Sequence, residues 1–322
     1  MKTVKKAIAL ILCAVLVLTS FAGCSRMPAD ALSVWLIVKS TRTAFFQAAF
    51  AGANAAKAEY NVDLTIVSPE TEEDYEAENR FIAQAVEEGA DAIVLSAISY
   101  TENVDAVDAA VEAGVKVVVI DSDVESEGVS ARIGTDNEEA GRMACRSALS
   151  VDWYELNVGI INFDAGVRNG QEREAGFREM LYKDPRVRQI YTINVPADAE
   201  QAREETTKLL RDHPEINILT SFNEPLAVGA ARAVEELGLG GKIRLIGFDT
   251  NVECIDMMQR DVVSALVVQN PYAMGYLGIE TAWKILNGEI SEPCTILNTP
   301  AVIITKDTMY DMESQKVMFP FG

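Results

Sequence analysis

Three clusters of polar and aromatic residues stand directly after apolar, β-branched runs. Lys39-Ser40-Thr41 follows residues 34–38, Asp121-Ser122-Asp123 follows 117–120, and Phe248-Asp249 follows 245–247. In an open parallel α/β sheet a ligand lies outside the carboxyl ends of the strands, so these clusters are where a site is expected. Together they predict one polar pocket assembled from distant segments, with hydrogen bonding and charge as its chemistry. Bond-making machinery is not legible. The sole histidine, His213, precedes Pro214 at a helix-to-strand return on the edge away from the pocket, and no Gly-x-Gly-x-x-Gly or Walker loop follows a strand. Gly238-Leu239-Gly240-Gly241 comes after a helix and before a strand, the wrong side for holding phosphate. Asp121 and Asp123 offer two carboxylates without the further oxygens of a calcium loop. The expectation is therefore a binding protein and not an enzyme, with no cofactor and no metal.

The elements that must position these clusters follow from the pattern. Short β-branched runs alternate with amphipathic stretches, the sign of βαβ units and a parallel sheet. Strands are expected over 33–38, 62–67, 92–95, 115–120 and 131–133. A second set is expected over 158–162, 189–194, 216–220, 243–246 and 263–268, with a late strand at 301–304. Helices are expected over 46–59, 75–88, 104–113, 138–149, 172–182, 199–211, 225–237 and 273–286, and another near Val252. Glycine follows several of them, at Gly89, Gly114 and Gly238, where a left-handed cap is needed. The two strand sets predict an α/β fold of two similar doubly wound parallel-sheet lobes joined by a hinge of several crossings. Residues 32–135 plus 270–298 are assigned to the amino-terminal lobe, and 136–269 plus 299–322 to the carboxyl-terminal lobe. Pro271 suits such a crossing because it cannot continue a strand's hydrogen bonding.

Residues 1–23 read as an export signal, with Lys2, Lys5 and Lys6 ahead of an apolar run at 7–18 that is too short to span a bilayer. Removing them takes away three lysines and no acid, which moves the formal charge from −21 to −24. Such a surface repels nucleic acid and anionic lipid. The acidic stretch 70–78 reads as a solvated helix start. Cys145, Cys254 and Cys294 show no metal spacing and are expected as buried small side chains, with a disulfide between two of them open outside the cytoplasm.

Seven motifs in order carry a resemblance. They are Thr43-Ala44-Phe45-Phe46, Val118-Val119-Ile120-Asp121, Ile133-Gly134-Thr135-Asp136-Asn137, Arg173-Glu174-Ala175-Gly176-Phe177, Phe222-Asn223-Glu224, Ile246-Gly247-Phe248-Asp249 and Val268-Gln269. With these the chain resembles the sugar-binding branch of the class I periplasmic binding proteins, the ribose-binding type, over about residues 33 to 305. The resemblance implies that Phe45 and Phe46 pack on a sugar ring and that Asp121 accepts hydrogen bonds from hydroxyls. Arg173, Asn223, Asp249 and Gln269 would complete the polar shell, with Lys39 and Thr43 beside them. A sugar's hydroxyls both donate and accept and its C–H face is apolar, which matches carboxylates, amides, a guanidinium and flat aromatics.

Departures from the ribose pattern are Thr43 for an Asn, Ser122 for an Arg, and Ala199 for a second-lobe Phe. Lys39 and Arg42 add positive charge that pairs with Asp121 or Asp123 or meets an anionic group on the ligand. Phe21-Ala22-Gly23-Cys24 resembles a lipobox, which implies lipidation of Cys24, a short linker over 24–31 and attachment to the outer face of the cell membrane. The partner implied is the permease of an ABC importer, with a membrane histidine kinase or chemoreceptor as the alternative, and the protein is expected as a monomer. Alanine at Asp249 or Arg173 is expected to weaken ligand binding about tenfold or more and to leave the unliganded melting temperature within a few degrees.

Overall fold

The computed structural model describes residues 31–163, 165–290 and 295–319. The export signal, Cys24 and Cys294 lie outside them. Among the described residues the aliphatic runs form two six-stranded sheets. The first holds β1 (Ser33–Ile37), β2 (Asp63–Val67), β3 (Ala92–Leu95), β4 (Lys116–Ile120), β5 (Ala131–Gly134) and β11 (Thr295–Asn298), in the order β11-β5-β4-β3-β1-β2 and parallel throughout. The second holds β6 (Leu156–Asn162), β7 (Val187–Asn194), β8 (Ile218–Ser221), β9 (Arg244–Phe248), β10 (Ala265–Val268) and β12 (Val302–Thr305), in the order β12-β10-β9-β8-β6-β7. Only β12 runs antiparallel there, against β10.

Strand order repeats between the sheets, so β4 and β9 hold equivalent places. In each sheet the order reverses between the first strand and the third, β1 and β3 or β6 and β8, which opens a crevice at the carboxyl ends. The chain passes from one sheet to the other after β5, after β10 and between β11 and β12.

Helices cover both faces of each sheet, which is why central strands such as β3 and β8 are buried along their whole length. On the first sheet, α1 (Ala44–Tyr60) packs against α9 (Pro271–Leu286), and α2 (Tyr75–Glu87) and α3 (Val104–Glu112) cover the other face. On the second, α4 (Asn137–Leu149) packs against α5 (Arg168–Leu181), while α6 (Ala199–Asp212), α7 (Glu224–Glu236), α8 (Val252–Gln259) and α10 (Met312–Met318) complete the cover. Glycine permits the closest of these contacts. A Cβ on Gly141 would overlap the carbonyl oxygen of Arg173, and one on Gly176 would overlap that of Glu138, so α4 and α5 meet backbone to backbone. Gly89, Gly114 and Gly238 have φ of 76°, 93° and 64°, the left-handed values expected at those helix ends.

The structure corrects several expectations. Helix α5 starts at Arg168 and not at residue 172, since Asn169, Gly170 and Gln171 are already helical. Gly170 is needed there, since a Cβ would lie 2.7 Å from the Phe163 ring. Strand β11 and helix α10 were not foreseen. Each is too short for a hydrophobic period to emerge. Cys145 and Cys254 are free, buried thiols pushed up to about 12 by burial.

The acidic stretch is not a purely solvated helix start either. Glu78 is fully buried in α2, with Oε2 accepting from the Ile98 amide at 2.8 Å and Oε1 without a partner. Burial pushes its carboxyl up to about 8, against the pull of that amide and of Lys39. A carboxyl raised above its ordinary 4.5 contributes fully to stability at acid pH, and the contribution is lost as pH climbs toward about 8. Glu78→Gln should therefore flatten the fall in melting temperature between about pH 5 and pH 8.5. Parallel thermal melts of both proteins check this, and an equal fall in each would show that Glu78 does not titrate there.

Candidate binding cleft between the two sheets

The carboxyl ends of the two sheets face one another, and the segments that leave them meet. From the first sheet come Lys39 after β1, Thr43, Phe45 and Phe46 at the start of α1, and Asp121 after β4. From the second come Arg173 in α5, Asn223 after β8, Asp249 after β9 and Gln269 after β10. All nine residues line one cavity of about 30 Å³. Glu72, Phe163, Asn169, Glu224 and Pro225 line it too and were not foreseen.

Asp121 and Asp249 occupy the equivalent places in the two sheets, and both hold left-handed backbone, with φ of 58° and 63°. Outside glycine this conformation is uncommon, and Asp tolerates it better than most residues. Their charge states differ. Burial pushes Asp121 upward, but Lys39, at 3.1 Å, together with Arg173 and the Ser96 hydroxyl holds it below the ordinary carboxylate range. Asp249 has no lysine, and burial pushes it up to about 7 against Arg173 and the Gln269 amide, which donates to it at 2.7 Å. Asp249 is not the cap of α8, because Asn251 takes that role with a 2.8 Å bond from the Cys254 amide.

Arg173 is 1% exposed. Its Nε donates to Asn137 Oδ1 at 2.9 Å, its Nη1 to the Phe222 carbonyl at 2.7 Å and its Nη2 to Gln269 Oε1 at 2.7 Å. The guanidinium also lies 4.8 Å from the centre of the Phe248 ring. Gln269 Oε1 accepts a further bond from Thr135 at 2.9 Å. Arg173 is thus a strut tying α4, α5, β8 and β10 together, which the sequence-based expectation of an unchanged melting temperature for its alanine variant did not anticipate.

Phe45 and Phe46 both reach the cavity, packed edge to face with centroids 5.1 Å apart. Thr43 caps α1 and Asn223 caps α7 through their side-chain oxygens. Of the alternatives for the nearby cations, Lys39 takes the pairing with Asp121, while Arg42 is exposed and donates to the Glu70 carbonyl. Asp123 is held by Arg132 at 2.8 Å. His213 ends α6 and stacks on Tyr191. Ala199 does not line this cavity, but an aromatic from the second sheet does, Phe163 at the end of β6. Its place after a β-branched run was the signal that could have found it.

The cleft is shut. Glu224 of the second sheet accepts from the first amides of α1, Ala44 at 3.2 Å and Phe45 at 3.0 Å. Glu73 accepts from the Ala197 amide at 2.9 Å, and Asn169 donates to Asp121 at 3.0 Å. The described residues from Ser33 onward form one compact unit. A cavity of about 30 Å³ is far below the several hundred Å³ of ordinary ligand pockets, so a sugar enters only if the sheets part. A cavity of about 640 Å³ adjoins Phe45, but Asp249 is its only charged lining residue and its walls, from Ala48, Val252, Ile255, Val317 and Met318, are largely apolar.

Two α/β sheets of the same strand order with a polar cleft at their carboxyl ends define a two-lobed binding protein. The chain matches the periplasmic binding protein domain over residues 34–290 and belongs to that family. It is 28% identical to the D-ribose/D-allose-binding protein of Pseudomonas aeruginosa over 282 residues, which cover 84% of this chain and 88% of that protein. It is 25% identical to the ribose import binding protein of Bacillus subtilis over 226 residues, 70% of this chain and 73% of that protein. Among solved structures, a carbohydrate transporter solute-binding protein of Agrobacterium radiobacter in complex with D-arabinose superposes with a TM-score of 0.87 at 26% identity, covering 90% of this chain and 100% of that one. An ABC transporter solute-binding protein of Agrobacterium vitis with bound D-fucose gives 0.85 at 28% identity, covering 89% and 99%.

Proposed function

We propose that this protein is an extracytoplasmic receptor that captures a sugar between its two lobes and delivers it, as a monomer, to an ABC importer. The observation that carries this reading is the convergence of Lys39, Asp121, Arg173, Asn223, Asp249 and Gln269 with Phe45 and Phe46 on one cleft. Polar groups for hydroxyls and aromatic faces for C–H surface suit a sugar, and the cleft offers capture rather than catalysis. The solved relatives with D-arabinose and D-fucose support the ligand class. We take the lobes as 32–135 plus 270–298 and 136–269 plus 299–322, hinged at the crossings between sheets. A sugar bridging both lobes favours the closed form only through its greater affinity for that form.

In solution the unliganded lobes should part, and saturation with a binding sugar should reduce the radius of gyration measured by X-ray scattering. An unchanged radius alongside calorimetric binding would contradict closure. The export signal over 1–23 and the Phe21-Ala22-Gly23-Cys24 segment support a diacylated Cys24 as the membrane anchor. No helix of the described residues is long and apolar enough to cross a membrane. Cells fed labelled palmitate should label the wild type and not Cys24→Ser, and an unlabelled wild type would remove the anchor.

A further inference from the structure

We propose that the sugar taken by this cleft carries a protonated amine, seated against the Glu72 carboxylate and the side-chain oxygen of Asn169. This rests on the sugar-capture reading and narrows its ligand.

The cavity is lined by four carboxylates, Glu72, Asp121, Glu224 and Asp249, but by two cations, Lys39 and Arg173. Lys39 is paired with Asp121 at 3.1 Å, and Arg173 reaches Asp249 through Gln269. Glu224 sits on the first amides of α1, whose dipole offsets part of its charge. Glu72 remains. No donor among the described residues bonds to it, and burial beside Asp121, Glu73 and Glu224 pushes its carboxyl up to about 7 despite Lys39. Once ionised, as a bound cation would favour, Glu72 adds a negative charge with which no cation of the cavity lining is paired.

A separate observation points the same way. Asn169 is 3% exposed, and its Nδ2 donates to Asp121 Oδ1 at 3.0 Å, which fixes the orientation of the amide. Its Oδ1 is then a buried acceptor with no donor, in the wall of the same cavity. A buried oxygen left without a donor is costly, and a bound ligand group can supply one.

An ammonium offers three donors and no acceptor, together with the missing charge. A hydroxyl would serve Asn169 but leave the charge of Glu72 unbalanced. A metal ion is a poor alternative, because among the described residues no three carboxylate, histidine or cysteine side chains are grouped to hold one. The cation is therefore organic, and the aromatic pair Phe45 and Phe46 supplies the face for its sugar ring.

Calorimetric titration of the purified protein at about pH 7 tests this with hexosamines and pentosamines, each beside its neutral parent sugar and its N-acetyl derivative. An amino sugar should bind at least about tenfold tighter than both of its neutral counterparts. Glu72→Gln should shrink that ratio to within about threefold, and Glu72 is only half buried in a loop, so the substitution spares the fold. A neutral sugar binding as tightly as its amino form would overturn the amine while leaving sugar capture intact. A preference that survives Glu72→Gln undiminished would overturn the placement of the amine. Failure of every sugar in the panel to bind would end both readings.

Discussion

Arg173→Ala should lower the melting temperature of the unliganded protein by roughly 5–15 °C, in step with a loss of about 3–5 kcal/mol. The guanidinium is almost completely buried and donates to Asn137, the Phe222 carbonyl and Gln269. Truncation leaves the Asn137 and Phe222 oxygens unpaired in the interior and removes the countercharge of Asp249, whose carboxyl burial already penalises. Lysine is not expected to rescue the variant, because an ammonium cannot reproduce the planar fork that spans three acceptors. Sugar affinity should fall as well, since Gln269 and Asp249 lose the group that orients them. Scanning calorimetry without ligand checks the claim. A melting temperature within a degree of wild type would show that Arg173 is a replaceable ligand contact and not a strut.

Asp249→Asn should behave in the opposite way, with sugar affinity reduced about tenfold to a hundredfold and the unliganded fold retained. Asparagine tolerates the left-handed φ of 63° nearly as well as aspartate, and its side-chain oxygen can still accept from Gln269. What it loses is a carboxylate able to accept charge-assisted hydrogen bonds from the ligand. The folded carboxyl is raised from its ordinary 3.8 to about 7, so its contribution to stability is complete at acid pH and declines as pH rises toward 7. The amide has no such decline. At about pH 8 the variant should melt at or above the wild-type temperature, and at about pH 5 the advantage should vanish or reverse. Melting curves at both pH values with a sugar titration at pH 8 test this pairing. Unchanged affinity would remove Asp249 from the site.

These two outcomes differ because two groups predicted for the same shell have different surroundings. From the residue types alone, Arg173 and Asp249 looked alike: both polar, both in matching motifs, both expected to be lost without cost to the fold. Packing separates them. The arginine is bonded to elements from several parts of the chain, whereas the aspartate is buried at a net electrostatic cost.

Local chemistry determined a good deal by itself. β-Branched runs, amphipathic stretches and terminal glycines act within a few residues of one another, so the alternation of strands and helices, the repeated doubly wound halves and the polar clusters at strand ends were legible. Lys39, Asp121 and Asp249 stand directly after such runs, and the other expected residues carry motif types that mark them. Only the tertiary structure decided what depends on contacts between distant segments. Glu72 read as part of a solvated acidic stretch, and neither Asn169 nor Glu224 had an assigned role. Each becomes part of the cleft because the first sheet meets the second, with Glu224 reaching the amides of Ala44 and Phe45 across 180 and 179 residues of chain. The unequal charging of Asp121 and Asp249 has the same origin, since a carboxyl's proton affinity is set by the neighbours and the burial that folding imposes on it.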